Sequence, residues 1–431
     1  GVFTRLIETH EGDLTRLHAH QFNHEIPQPP DESTHNDLIQ SDIDVWRNGW
    51  SASPFRGGQL HQYLWHFYLT DHPGWGRLIP SIFAGSIEPW LAERRQHPES
   101  YHCFFNLHQF IHLWDAVEDS PLFSNEDRRQ VVTMFGHLLK HLAGLFYLKP
   151  EINLPDEPRQ NHSTFIALDL AFGHDYMMKR YGIQTFEPTV EAVDRIFTGQ
   201  GSSYKPNDDA GVGYAWHVPQ ETFFYFLYKQ DYRYLDDGPI TDLCRLAVVT
   251  TDNMRSESGY GDIAGYTGFS PDQWQINLWP LMASTWRSKN PAHLWTLNWL
   301  GAGKQPALGH SLTGLYSAVE SKDAQFVLDG IDPLPPDNLL GIHAMAMPES
   351  ALRWIKSRTP LPYQPDPSKK YFDKISIRPS FDPEDEYLLL EGAGTFCHGH
   401  EDTNAIIRLT WRNRAWLADG DYIRAAPRFH N

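Results

Sequence analysis

Apolar residues recur at helical spacing through about the first three quarters of the chain, then switch to short alternating runs. The clearest helical stretch runs from Glu126 to Phe146, where Val131, Phe135, Leu138, Leu142 and Leu145 form one stripe. In front of it, Ser124 and Asp127 make a capping-box signature, each side chain able to satisfy the other residue's backbone N–H. A second helix follows Asn161, with Phe165, Leu168, Phe172 and Tyr176 on one face and Gly182 as its stop. Further helical segments are expected at Gln59–Tyr68, Tyr101–Val117, Thr189–Phe197, Gln220–Tyr228 and Asp272–Trp286. Successive helices with short returns predict an all-α layer of antiparallel hairpins, and no repeat of fixed period is visible.

The pattern changes after the Pro-rich stretch "RTPLPYQPDPSKKY". Beyond it, Ile375–Arg378, Glu386–Leu390, Ala405–Trp411 and Ala415–Leu417 read as strands separated by turns. "RLTWRNRAWLADG" reads as a hairpin bending at Arg412-Asn413-Arg414. The expected division is a helical part over 1–360 and a β part over 361–431. Four or five strands finishing at Asn431 would leave an incomplete sheet with an open edge. Either the chain continues, or a second copy in a homo-oligomer completes it.

Composition narrows the function. At 431 residues the chain is long enough for two domains and a large core. Its formal charge of −18 argues against nucleic acid or anionic membrane as main partners, while leaving room for an anionic substrate in a locally positive cleft. No apolar run is long enough to span a membrane. Three cysteines, none in a Cys-x-x-Cys spacing, cannot all pair within the chain and argue against a disulfide framework. The chain begins at Gly1 with no visible signal peptide, which fits a leader already removed and a secreted or periplasmic protein. Fifteen Trp, 19 Tyr and 24 Phe supply core, and also faces on which sugar rings stack.

Four constellations could carry chemistry. "CHGHED" places His398 and His400 on one side of an extended chain. A hairpin can return Asp419, in "LADGD", beside His400, and His430 follows in "FHN". Two histidines and an aspartate suit a divalent metal, zinc first; ordinary polar residues on a solvated sheet face would look the same. "RQNHSTF" opens a helix with Asn161 and His162, which could equally be a cap and a surface residue. The Gly-rich "DDAGVGYAWH" presents Tyr214, Trp216 and His217, and "ESGYGDIAGYTGF" presents Tyr260 and Tyr266. Such loops are commonly turns, and between helices they also line sugar clefts.

In combination, the order of Asn-His on a helix, a Tyr-bearing Gly loop, and "RPSFDPEDEYLLLEGAGTFCHGHEDTNAIIRLTWRNRAWLADGDY" resembles the heparinase II/III-like polysaccharide lyases, including their alginate-lyase relatives. The motif positions are Arg378 to Leu388, His398 to Asp402, Asp419 to Asp421, and His430-Asn431. The resemblance implies an (α/α) toroid followed by an antiparallel β-sandwich. It also implies β-elimination on a uronic-acid polysaccharide, leaving an unsaturated uronate end. Asn161 and His162 would neutralise the substrate carboxylate, Tyr214 would serve as acid and base, and His398 as partner base or second carboxylate contact. Tyr260 is the alternative to Tyr214. Tyr260, Trp216, Arg47 and Trp50 would bind substrate, and His400, Asp419 and His430 would hold one structural zinc.

Two rivals belong to other classes. A glycoside hydrolase on the same helical toroid could use paired carboxylates such as Asp208 with Asp262. A non-catalytic carbohydrate-binding protein would bind oligosaccharide without turnover.

Overall fold

The structure is a computed structural model. It describes residues 28–47, 59–97, 107–144, 161–184, 187–205, much of 218–236, 238–258, 285, 288–301, 330–336, 339–358, 366, 368–392 and 404–418. The chain is mainly helical, with a five-stranded antiparallel sheet in its C-terminal part. It divides into two compact units, one formed by residues 1–153 and 165–194, the other by 154–164 and 195–431. No helix among the described residues is long and apolar enough to cross a membrane.

The first unit contains α1 (His35–Arg47), α2 (Leu60–Thr70), α3 (Pro73–Gly76), α4 (Leu78–Gln96), α5 (Leu107–Val117), α6 (Asn125–Gly144) and most of α7 (Asn161–Tyr181). The expected stripe of α6 is its buried face: Val131, Phe135, Leu138 and Leu142 are inaccessible to solvent. The expected capping box is formed. Ser124 Oγ accepts from the Asp127 N–H at 3.1 Å, and Asp127 Oδ2 accepts from the Ser124 N–H at 2.8 Å. Phe83 of α4 meets Phe135 edge-on at 5.2 Å. Helix α7 ends where the sequence predicts, at Gly182. Its φ of +66° lets its N–H reach back to the Met178 carbonyl at 3.0 Å, closing the last turn.

Deeper in this unit His108 and His112 are buried on α5, and the Asp169 carboxylate of α7 lies 2.8 Å from the His108 ring. Burial pushes both imidazoles down to about 3.

The second unit joins helices to the sheet. Its helices include the end of α8 (Glu187–Gln200), α9 (Arg233–Asp236), α10 (Gly238–Val249), α11 (Pro291–Gly301) and α12 (Glu349–Arg358). The strands are β1 (Gly341–Ala346), β2 (Phe372–Arg378), β3 (Tyr387–Glu391), β4 (Ile406–Trp411) and β5 (Arg414–Ala418), paired in chain order. The sheet therefore begins before position 361, with a strand the alternation does not reveal.

The two faces of the sheet have inverted polarity. Lys374, Ser376, Arg378, Tyr387, Leu389, Glu391, Arg408 and Thr410 are buried on one face. The other carries Ile342, Ile375, Ile377, Leu388, Leu390, Ile406 and Leu409, among which Ile342 is 74% exposed. Trp411 and the 58%-exposed Trp416 extend the apolar character of that side, the Trp416 indole N–H donating to the Trp411 carbonyl at 2.9 Å. Two bulges explain consecutive buried residues. The register shifts opposite Met345/Ala346 and opposite Leu389/Leu390, so Asp373 and Ile407 are extra residues turned inward beside Lys374 and Arg408.

The buried histidines set one expectation. The folded His112 ring should stay neutral from about pH 7 to about pH 5, whereas an unperturbed imidazole takes up its proton near 6.5. Its folded value is depressed, so its contribution to stability is present above about 6.5 and lost as the pH falls toward about 3. Imidazole NMR shifts followed against pH read this directly; a His112 ring titrating near 6.5 would contradict it.

Candidate functional site

Asn161 and His162 are the first two residues of α7, the second half-buried, followed by buried Ser163 and Thr164. From the end of α8, the Gln200 amide reaches two hydroxyls. Its Nε2 donates to Thr164 Oγ1 at 3.1 Å, and its Oε1 lies 3.3 Å from Thr222 Oγ1. Thr222 Oγ1 also donates to the Val218 carbonyl at 2.7 Å, within a stretch whose described residues are helical. One buried side chain thus ties the first turn of α7 to the helical stretch that follows Tyr214. Tyr214 and Trp216 themselves lie outside the described residues, as do Tyr260 and Trp50. Arg47 is the last residue of α1 and falls in the other compact unit.

The histidine motif falls in the connection between β3 and β4. That connection is bracketed by backbone bonds: the Glu391 N–H donates to Ala405 O at 3.0 Å, and the Asn404 N–H to Glu391 O at 3.1 Å. Gly392 must be glycine, because a Cβ there would lie 2.0 Å from the Phe372 carbonyl oxygen. The expected hairpin follows. Arg412 and Asn413, with φ of 54° and 53°, form a two-residue turn of the twist-matched type I′ between β4 and β5. Ala418 pairs with Arg408, so the chain leaves β5 toward Asp419 at the sheet end where the β3–β4 connection enters β4. His398, His400, Asp419 and His430 lie outside the described residues. Among the described residues no group of three or more His, Cys, Asp or Glu side chains is placed to hold a metal.

The Arg378–Leu388 part of the motif is fully described, and its work is to join sheet and helix. Arg378 Nη2 donates to the carbonyls of Val248 at 2.9 Å and Thr251 at 2.7 Å, and Nη1 to Asn253 Oδ1 at 3.3 Å. The guanidinium stands over the Tyr387 ring at 4.3 Å, and the Tyr387 hydroxyl donates to Val249 O at 2.6 Å. Val248 O and Val249 O belong to the last turn of α10 and Thr251 O follows it, so the cation also meets the negative end of the helix dipole. Asn253 Nδ2 donates in turn to the Asp382 and Asp385 carbonyls at 3.1 and 3.3 Å. Beside it, Arg408 Nη2 donates to Asp252 Oδ2 at 2.8 Å. Burial lowers Arg378 to about 10 and pushes the Tyr387 phenol up to about 12.

A second buried network, which the sequence reading does not single out, lies at the other end of β2. Lys205 Nζ sits 2.6 Å from Asp373 Oδ1, and the Tyr204 hydroxyl donates to Asp373 Oδ2 at 3.0 Å. Lys374 Nζ lies 2.8 Å from Glu391 Oε1 and 3.3 Å from Asp373 Oδ1. Burial alone would raise the Asp373 carboxyl, but the two lysines outweigh it and hold the group well below the carboxylate range. Glu391 goes the other way, because burial outweighs the lysines' attraction. In the sequence it shows only as the adjacent charges Asp373-Lys374, just ahead of the expected strand Ile375–Arg378.

No protein-family model matches the chain, and no curated protein matches it.

Replacing Arg378 with Met should lower the free energy of unfolding by about 1–3 kcal/mol, since the Thr251 carbonyl loses its donor while Val248 O keeps the Thr251 N–H. Arg378→Lys should recover only part of that, because a single ammonium cannot span the fork of acceptors. Urea denaturation of the three proteins measures both. A loss near zero for Met would mean that packing, not the cap, holds the sheet to α10.

Proposed function

We propose that the chain is a polysaccharide lyase that cleaves a uronic-acid polysaccharide by β-elimination. The observation that carries this reading is the Gln200 bridge, which ties the turn bearing Asn161 and His162 to the helical stretch after Tyr214. The intervals holding Asn161, His162, Tyr214 and His398 fall in the same compact unit. A helix opening presents the positive end of its dipole, which suits a substrate carboxylate.

Elimination removes the proton at C5 beside that carboxylate and expels the oxygen at C4. Asn161 and His162 donate to the carboxylate, and their bonds strengthen as negative charge grows on it in the transition state. Tyr214 takes the C5 proton and returns one to the departing oxygen. His398 acts as partner base or second carboxylate contact, and Tyr260 and Trp216 bind the sugar chain. In this reading the helices form an (α/α) toroid and the sheet is one layer of a β-sandwich. The apolar, solvent-facing side of the sheet, with Ile342, Ile377 and Trp416, supports a second layer. The protein acts outside the cytoplasm, on an anionic polysaccharide.

A structural zinc would be held by His400, Asp419 and His430. The topology fits it, because β5 ends toward Asp419 at the sheet end where the histidine connection joins β4. The metal would supply a cross-link between that connection and the hairpin, keeping His398 in place.

Tyr214→Phe removes one hydroxyl and should abolish the unsaturated product, read by its near-ultraviolet absorbance on a panel of uronic polysaccharides, while oligosaccharide binding and melting temperature stay close to wild type. Retained turnover would move the role to Tyr260 or His398; the absence of unsaturated product from the wild-type protein across the panel would overturn the reading.

Elemental analysis of unchelated protein should find close to one zinc per chain, and His400→Ala should lose it, melt earlier and lose activity. Zinc should also leave as the pH falls through the histidine range, because its ligands must be deprotonated. Metal-free protein of wild-type stability and full activity would sink the zinc assignment.

A further inference from the structure

Helix α6 has a second face beside its buried stripe. Positions 129, 132, 133, 136 and 140 recur at helical spacing and line a cavity of about 530 Å³ that opens to solvent, a size typical of small-molecule sites. The other wall is the end of α7. There the Gly182 N–H donates to Met178 O at 3.0 Å and the Ile183 N–H to Met177 O at 3.2 Å, which folds Ile183 back toward Met177. Tyr181 and Ile183 are 40% and 37% exposed, and among the described residues of the first unit they are the large hydrophobic side chains left exposed. Both line this cavity, with Val132 and Met177. The Tyr181 hydroxyl is engaged, donating to the Glu118 carboxylate at 3.1 Å, so its ring is what the cavity meets.

Packing does not explain the glycine midway along the groove. Gly173 on α7 has to be glycine, since a Cβ there would lie 2.3 Å from Leu139 Cδ2. A Cβ on Gly136 would have nothing within 4 Å, yet a glycine inside a helix weakens it relative to alanine. Its effect is to keep the middle of the cavity clear down to the helix backbone.

The charges are one-sided. The chain carries a formal charge of −18, but among the described residues no acidic side chain lines this cavity, whereas Arg128, Arg129 and Lys140 do. Both arginines are engaged. Arg129 Nε donates to Glu126 Oε2 at 2.8 Å, and Arg128 donates to the carbonyls of Glu118 at 2.7 Å and Ser120 at 3.2 Å. Lys140 is exposed and meets no carboxylate among the described residues. It also stands apart from the apolar wall. Tyr176 packs edge-on against Phe135 at 6.0 Å and Gly173 faces Leu139, so α7 runs antiparallel to α6 and ends beside its N-terminal half. Lys140 lies about 12 Å along the helix axis from Val132, beyond Gly136.

We propose that this cavity binds a linear amphiphilic monoanion, its hydrocarbon chain against Val132, Met177, Tyr181 and Ile183 and its acidic head at Lys140, the chain passing over Gly136. One ammonium balances one negative charge, and the bound chain covers the two exposed side chains. A sugar chain suits these walls poorly, because its hydroxyls would lose water without gaining partners. The site is independent of the lyase reading.

Calorimetric titration of the full chain with decanoate, kept below its micellar range, tests this. One saturable site per chain should appear, with decanol about fivefold weaker. Lys140→Gln should weaken decanoate about fivefold and erase its advantage over decanol. Gly136→Leu should abolish the site by filling it while raising the melting temperature, since leucine is the better helix former, which separates blockade from unfolding. If that variant melts earlier, the exposed substitution Lys140→Gln decides alone, and unchanged decanoate affinity there overturns the proposal. So does the absence of a saturable site in the wild-type protein, or a site that persists in a stable Gly136→Leu protein. Equal affinity for decanol or decyltrimethylammonium would likewise reject an anion site, and displacement of decanoate by a uronate tetrasaccharide would reassign the groove to sugar.

Discussion

The second unit depends on one arginine meeting the end of one helix. The last turn of α10 leaves carbonyls that no helical N–H can reach, and the loop after it keeps Asp252 and Asn253 out of water. Arg378 supplies the donors from β2, Tyr387 supplies one from β3, and Arg408 pairs with Asp252 from β4. Three consecutive strands are thereby registered against one helix terminus. This explains why Arg378 and Tyr387 stand on the inward face of the sheet: the carbonyls they meet take donors that aliphatic side chains could not supply.

That arrangement also decides what the sequence could disclose. Local signals are legible because their causes are local. Ser124 and Asp127 do cap α6, Gly182 does end α7, and Arg412-Asn413 does bend the last hairpin. Four of the five strands fall within a few residues of where alternation places them. Strand β1, "GIHAMA", has one β-branched residue and a burial pattern that hardly alternates, so its identity comes from pairing with β2 and not from its own composition. Helix α4 carries Pro89 in its interior and Pro80 near its start, which hides it from a reading that treats proline as a breaker. Which face of the sheet turns inward was not legible either. Hydrophobic alternation points to Ile375 and Ile377 as the inner residues of β2, and the structure buries Lys374, Ser376 and Arg378.

For the candidate site the balance is different. Asn161 and His162 stand on the helix opening where the sequence put them, and the scaffold around the Tyr214, His398 and Asp419 positions is described up to their flanks. The connecting parts, Gln200 and the Lys205–Asp373 pair, carry no recognisable spacing. Gln200 and Thr164 lie 36 positions apart, and Lys205 and Asp373 lie 168 apart. Partners separated by such distances announce themselves only once the chain has folded. Side chains that hold a site's frame are therefore the ones a motif search passes over.

The inverted sheet also bears on what counts as a separable piece of this protein. Cut from its helices, the sheet would present Arg378, Arg408 and Lys374 on one side and a field of isoleucine, leucine and tryptophan on the other. The first side would trade its partners on α10 and the turn after it for water, and nothing would then hold the three strands against a helix. A helical fragment ending ahead of β1 would in turn strip the Val249 and Thr251 carbonyls of the donors that Tyr387 and Arg378 supply. The Pro-rich stretch near position 360 looks like a seam, yet buried bonds run across it, from residues 248–253 to residues 378–408. Anyone exchanging parts between this chain and another would have to move α10, the turn after it and the whole sheet as one cassette.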